Sequence, residues 1–271
     1  MSKGESEGNE TAADDFLKGM GGRAGGWFST GVPRGMAWLR FSATISPPVG
    51  AASRPARPNS GMAKTSNGGV SVIGLTGGIA SGKTSVSGYL AGKGAYVIDA
   101  DSVGHAVIAT DGEAYGEVLA EFGREILATD GSIDRKKLGA LVFADPERRR
   151  ALERISHPRM AERMAREIAE VRARPPRELP PLILLDAAIL FEAGWDALCD
   201  HTWAVLAGVP VSIERLMARN QLSMQEAAAR LRAQLSNEAR AAKAERVIWN
   251  DGSLEELFRA VEPLWLEATG T

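Results

Sequence analysis

Eight consecutive residues, Gly77-Gly78-Ile79-Ala80-Ser81-Gly82-Lys83-Thr84, match the pattern G-x-x-x-x-G-K-[ST]. Each residue type in it has a chemical task. Glycines let the main chain wrap a polyphosphate and aim N–H groups at it. A lysine supplies a mobile cation for the β and γ phosphates, and a threonine hydroxyl is a hard oxygen ligand for Mg²⁺. Lys83 and Thr84 stand at those places, and Ser85 follows into the next element. A second constellation is Leu182-Ile183-Leu184-Leu185-Asp186, an apolar run that ends in an acid. Asp186 can hold Mg²⁺ directly or through water; a turn or capping aspartate is the competing use. A third is Val97-Ile98-Asp99-Ala100-Asp101, two acids at the end of another apolar run. An acid there can take the proton of an attacking hydroxyl, while Asp101 or Ser102 could instead cap the following helix. Arg215 and Arg219 lie four apart, on one helical face, and Arg230, Arg232 and Arg240 follow. Arginines that close over a transferring phosphoryl group neutralise charge and exclude water; a solvated helix face is the ordinary alternative.

These residues need elements to position them. Ser71–Thr76 is a short apolar run ending in glycines, which suits a buried parallel strand, and Ser81–Ala91 follows as a helix. Ala95–Asp99, Leu182–Leu185, His201–Ala207 and Arg246–Trp249 read as further strands. Helical segments run from about Ser102 to Arg174, then over Val211–Arg219, Ser223–Lys243 and Leu254–Ala268. Strands separated by helices imply an α/β fold, a parallel sheet flanked by helices. Its strand ends are where ligands bind. No internal repeat is present.

Composition bounds the rest. The chain has 271 residues, 44% hydrophobic and 24% charged, with a net charge of −2, so a general nucleic-acid binder is not expected. One cysteine, Cys199, excludes a disulfide framework and suits a reducing cytoplasm. No apolar stretch approaches the roughly 20 residues of a membrane helix. Glycines are concentrated in the first 69 residues, 13 of the 30. With Pro33, Pro47, Pro48, Pro55 and Pro58, that stretch shows no sustained period. It is expected to be disordered, apart from an apolar group at Trp27, Phe28, Trp38, Leu39 and Phe41 that could dock. Five early acids fit neither a secretory signal nor a transit peptide. A start placed too far upstream is the other reading, with Met62 opening a polar lead into the first strand. The division is therefore 1–69 as extension and 70–271 as the folded domain.

Taken in order, Gly74–Thr84 and Ile98-Asp99-Ala100-Asp101 resemble the dephospho-CoA kinase family. The likeness continues through Leu138-Gly139-Ala140-Leu141-Val142-Phe143-Ala144-Asp145-Pro146 and Leu152-Glu153-Arg154-Ile155-Ser156-His157-Pro158. It goes on through Leu185-Asp186-Ala187-Ala188-Ile189-Leu190-Phe191-Glu192 and Val247–Leu257, covering roughly Val70 to Glu267. The resemblance implies a P-loop kinase core with a helical substrate-binding part, about 104–174, and a helical lid, about 215–243. It implies transfer of the γ-phosphoryl of ATP, with Mg²⁺, to the ribose 3′-hydroxyl of dephospho-CoA, by a monomer or weak homo-oligomer. It makes Asp101 the base or hydroxyl-orienting group, and Arg219 the phosphate-binding lid arginine beside Lys83. Arg230 or Arg232 would assist, without a choice between them. It assigns His157, Phe191 and Glu192 to the acceptor pocket, and Asn250 to a loop against the adenine; His105, one turn after Asp101, could face the same substrate, with an exposed helix residue as the alternative. The nucleotide cradle is then Gly77, Gly78, Ile79, Ala80, Ser81, Gly82, Lys83, Thr84 and Ser85, with Thr84 and Asp186 on the metal.

The chain departs from the family pattern at four places. Ala188 stands where proline is usual, which frees a backbone dihedral. Ile189 replaces a leucine, Asn220 a frequent aspartate, and Trp249 another aspartate. None falls on the expected phosphate or base positions. Two rivals stand beside this reading. One is another small-molecule P-loop kinase, for a nucleoside monophosphate or a sugar. The other is a regulatory module that holds ATP without phosphorylating a metabolite.

Overall fold

The structure, a computed structural model, describes residues 69–270. The expectations for the N-terminal extension, its apolar group and a start at Met62 lie outside the described residues. Five strands form one all-parallel sheet in the order β2-β3-β1-β4-β5. They are β1 (Val72–Gly77), β2 (Tyr96–Asp99), β3 (Ile183–Asp186), β4 (His201–Leu206) and β5 (Arg246–Trp249). Every residue of β1 and β3 is buried, whereas the edge strands β2 and β5 bury one residue each. Continuous apolar runs belong in the centre of a sheet covered on both faces. Alternation then decides which helices each residue meets. Val72, Ile183 and Leu185 face one cluster with Val103, Phe122 and Met164; Ile73, Leu75, Leu184 and Trp203 face the other, with Leu90, Val261 and Trp265.

The first face carries α2 (Ala100–Val107), α3 (Tyr115–Phe122), α4 (Arg135–Ala144) and the long α5 (Pro146–Arg172). This is the region expected to bind the substrate. The second carries α1 (Lys83–Gly92) and the C-terminal α9 (Leu254–Thr269). Between β4 and β5 lie α6 (Val209–Asn220), α7 (Met224–Arg232) and α8 (Asn237–Lys243). Side-chain caps fix most helix starts: Asp99 for α2, Asp134 for α4, Asp145 for α5, and capping boxes at Ser223 and Ser253 for α7 and α9. Each such cap contributes about 1 kcal/mol. Pro158 lies inside α5. The helix runs on past the missing N–H, so the His157-Pro158 pair is helical.

One expected element divides. Ser223–Lys243 is not one helix; it breaks at residues 233–236, where Ser236 accepts from Ala239 N and restarts the helix as α8. Alanine and arginine favour helix on both sides, so propensity alone hides the break. A serine oxygen that satisfies a free N–H at a helix start is the competing force that wins. No helix among the described residues is long and apolar enough to cross a membrane.

Candidate active site

β1 ends in the glycine-rich loop, and the sheet's branching puts that loop at the strand-end crevice. From β1 the chain crosses outward past β3 to β2, and from β3 it crosses back over β1 to β4. Such a divergence opens a binding crevice at the C-terminal strand edge. The loop closes on itself through Ser81 N donating to Gly78 O at 3.1 Å, and α1 opens with Ser85 N donating to Gly82 O at 3.0 Å. Gly82 has φ +94°, and a Cβ there would meet Asn250 Nδ2 at 2.2 Å, so no other residue fits. Ala80 is left-handed at φ +60° although it carries a side chain. The Ser81 hydroxyl is buried and lacks a protein partner, a donor that fits a phosphate oxygen.

Lys83 Nζ donates to Asp186 Oδ1 in an ion pair at the base of the loop. Asp186 sits in register with Leu75 of β1 and Asp99 of β2. The exposed Thr84 and the buried Asp186 therefore offer one hydroxyl and one carboxylate beside the cradle. That oxygen set fits Mg²⁺, which takes one or two carboxylates and completes its shell with phosphates and waters. No group of three or more His, Cys, Asp or Glu with metal-binding geometry occurs among the described residues.

The paired acids separate into two roles. Asp99 caps α2: its Oδ1 accepts from Asp101 N at 3.1 Å and its Oδ2 from Ser102 Oγ at 2.7 Å. The Asp101 carboxylate is thereby left exposed and without a side-chain partner at the strand edge. Capping, the alternative use of Asp101, belongs to its neighbour. His105 lies one turn on, exposed on α2. His157 is half-buried, 5.3 Å edge-on to Trp195, and burial lowers its pKa despite Glu153 nearby. Phe191 is buried under Lys243, whose Nζ is 5.6 Å from the ring centre, and Glu192 is exposed on the same loop.

The arginines also separate. Arg215 donates to Asn250 O at 2.8 Å and to Gly252 O at 3.1 Å, so it braces a loop and is not free to close. Arg219 is exposed at the end of α6, with Nε on Asn220 Oδ1 at 3.0 Å. Arg230 is exposed as well. A cleft of about 350 Å³ opens between the loop, the start of α6 and the α7–α8 turn, lined among others by Ile79, Ser212, Arg232 and Gln234. Of the two helper arginines left open by sequence, Arg232 lines this cleft. Asn250 is buried, and its Nδ2 donates to Ser81 O at 2.8 Å. It clamps the cradle itself.

Sequence reasoning missed Gln234, and it grouped Arg240 with the other candidate lid arginines without its burial or its partner. Gln234 Oε1 accepts from Ile79 N at 2.9 Å, joining the α7–α8 turn to the cradle. Arg240 is 2% exposed and pairs with Glu192. The only signal for either was Ser236-Asn237-Glu238, a readable helix start inside an apparently continuous helix. Cys199 stands apart from this chemistry: burial pushes its thiol up to about 12, beside Asp196 and Asp200.

Comparison with known proteins agrees with the geometry. The family model described as dephospho-CoA kinase matches residues 71–256. A dephospho-CoA kinase of Symbiobacterium thermophilum is 43% identical over 199 residues, 73% of this chain and 82% of that protein. One from Moorella thermoacetica is 43% identical over 196 residues, 72% of this chain and 91% of that protein. Among solved structures, TT1252 from Thermus thermophilus is 36% identical with a TM-score of 0.60, over 73% of this chain and 98% of that one. The dephospho-CoA kinase of Campylobacter jejuni is 21% identical with a TM-score of 0.51, over 74% of this chain and 98% of that one, a likeness of fold.

Proposed function

The chain belongs to the dephospho-CoA kinase family, and from that premise we infer that its cleft transfers the γ-phosphoryl of ATP to the ribose 3′-hydroxyl of dephospho-CoA, giving CoA. The observation that carries this reading is the Asp101 carboxylate, kept exposed because Asp99 does the capping. A phosphoryl acceptor hydroxyl needs such a group within reach of the cradle.

The proposed division of labour follows from chemistry already described. Main-chain N–H groups of Ala80, Gly82, Lys83 and Thr84 and the Ser81 hydroxyl bind the phosphates, while Ile79 N and Ser81 N hold the loop's shape through Gln234 and Gly78. Lys83 shares its charge between Asp186 and the β/γ oxygens. Thr84 and Asp186 would hold Mg²⁺, which would supply neutralisation of the phosphate charge. Asn250 keeps the Gly82 turn in shape, and so acts on nucleotide affinity through the cradle. Asp101 orients the acceptor hydroxyl and takes its proton as the new O–P bond forms. Arg219 and Arg232 bring cations toward the transferred group from the α6–α8 side. Phe191 and His157 give the acceptor side an apolar floor, and His105 faces solvent near the base. The reaction is assigned to the cytoplasm, where a lone free thiol such as Cys199 stays reduced.

The test is ADP release from MgATP by the full chain, with and without dephospho-CoA. Stimulation with CoA as product is the expected result. Stimulation by a nucleoside monophosphate or sugar instead would make the chain another small-molecule kinase. Nucleotide binding without acceptor-dependent ADP release would make it a regulatory module.

A further inference from the structure

Arg240 is the charged side chain that the reaction above does not use and the fold does not leave to solvent. It is 2% exposed, whereas arginines are almost never fully buried unless paired. Its compensation is partial. Nη1 donates to Leu235 O in the α7–α8 turn, and Nη2 reaches Glu192 Oε1 at 3.4 Å, a long contact. Nε is buried with no partner. Burial of a guanidinium on such terms costs stability that packing must offset. A buried cation with imperfect pairing is therefore a poor structural brace, and its surroundings suggest another use.

Those surroundings are two substrate loops. A Cβ on Gly78 would lie 3.4 Å from Arg240 Nη1, so the guanidinium lies close against the mouth of the cradle. The turn it binds also reaches the cradle, through Gln234 on Ile79 N. Asn237 ties the same segment to the residue that follows β4, donating to Ala207 O at 2.8 Å. On its other side Arg240 holds Glu192, next to Phe191, which Lys243 of the same helix covers. One short helix thus touches the nucleotide side and the acceptor side at once.

We propose that Arg240 is a positioning residue for phosphoryl transfer, tying the acceptor loop at Glu192 to the α7–α8 turn beside Gly78 and so fixing the register of the two substrates. The proposal rests on the dephospho-CoA kinase reading. Arg240 acts through Glu192 and Leu235. Its removal leaves the cradle's main-chain donors in place, so the rate of transfer suffers more than nucleotide affinity.

The experiment uses the full chain with Arg240→Met, Arg240→Lys, Glu192→Gln and the Arg240→Met/Glu192→Gln double variant. It measures kcat, KM for MgATP, KM for dephospho-CoA and Tm. Arg240→Met is expected to lose about 10²-fold in kcat, the scale of a misplacement transmitted from outside the chemistry, with KM for MgATP within about threefold. Arg240→Lys keeps the charge without the fork and recovers part of kcat. The double variant is no slower than Arg240→Met, because both changes break one contact. Wild-type kcat in a folded Arg240→Met, or losses that multiply in the double variant, overturns the proposal. Should Arg240→Met fail to fold, Arg240→Lys and Glu192→Gln decide: lowered kcat at unchanged KM for MgATP supports it, and unchanged kcat in both overturns it. A wild-type chain that dephospho-CoA does not stimulate overturns the kinase reading as well, which separates the two failures.

Discussion

The phosphate cradle and the α7–α8 turn meet through one hydrogen bond, Gln234 to Ile79, yet they are specified in opposite ways. The cradle is a run of eight residues whose shape follows from its own glycines, from the strand before it and from the helix after it. The turn has no such local code. It forms because Ser236 restarts a helix, because Asn237 reaches Ala207 O, and because Arg240 reaches both Leu235 O and Glu192. Two of those four contacts, to Ala207 O and to Glu192, reach groups outside the turn and its helices. A contiguous motif thus shapes the cradle, and dispersed contacts place the turn that lies against it.

The largest expected effect tests that division directly. Asp101→Ala should lower kcat by about 10²–10⁴-fold, the usual worth of a positioned acid or base, with KM for MgATP little changed. Steady-state kinetics with each substrate varied would measure it. A rise in KM for MgATP as large as the fall in kcat would place Asp101 with the cradle and break the comparison. Asn250→Ala should do the reverse. It strips the buried donor from Ser81 O and should cost about 1–3 kcal/mol of stability, seen by urea unfolding, with weaker MgATP binding by calorimetry.

A smaller effect comes from His157. Burial holds its folded pKa below the ordinary value, so the unfolded chain binds the proton more readily. Stability should therefore be complete above about pH 6.5 and fall as pH drops through that unfolded-state value. His157→Gln should flatten this slope between pH 7.5 and 5.5 in urea titrations; an identical slope in the variant would show that other groups carry it. The smallest is Ala80→Gly. It relieves a left-handed alanine, a gain of about 1–2 kcal/mol, against about 0.4–1 kcal/mol of added unfolded-state entropy. The net stabilisation should be no more than about 1.6 kcal/mol by those same figures, with kcat unchanged. A marked fall in kcat would mean that the cradle's strain is used in turnover.

Much of the site was legible in the amino-acid order because the signals are local. Residues 77–84 carry their own geometry, the strands are apolar runs between turn residues, and β5 falls at Arg246–Trp249 as its pattern indicates. Asp99 and Asp101 were recognisable as a pair at a strand end. Their separate duties were not, because a carboxylate two residues from an N–H can cap it or be capped, and only backbone direction chooses. Asn250 read as part of a loop near the base of ATP; the fold turns its side chain inward onto Ser81 O.

The order of residues by itself therefore determined the glycine-rich cradle and the parallel sheet, which rest on periodicity, glycine placement and a motif within a few residues of itself; the family of reaction came from a resemblance spread over most of the chain. Only the tertiary structure decided which arginine serves which purpose. Arg215 braces the 250–252 loop, Arg219 stays exposed, Arg232 lines the cleft and Arg240 is buried against Glu192, 48 positions away. Arginine side chains are long and chemically alike, so their roles depend on partners brought close by folding, and spacing along the chain carries no trace of that choice.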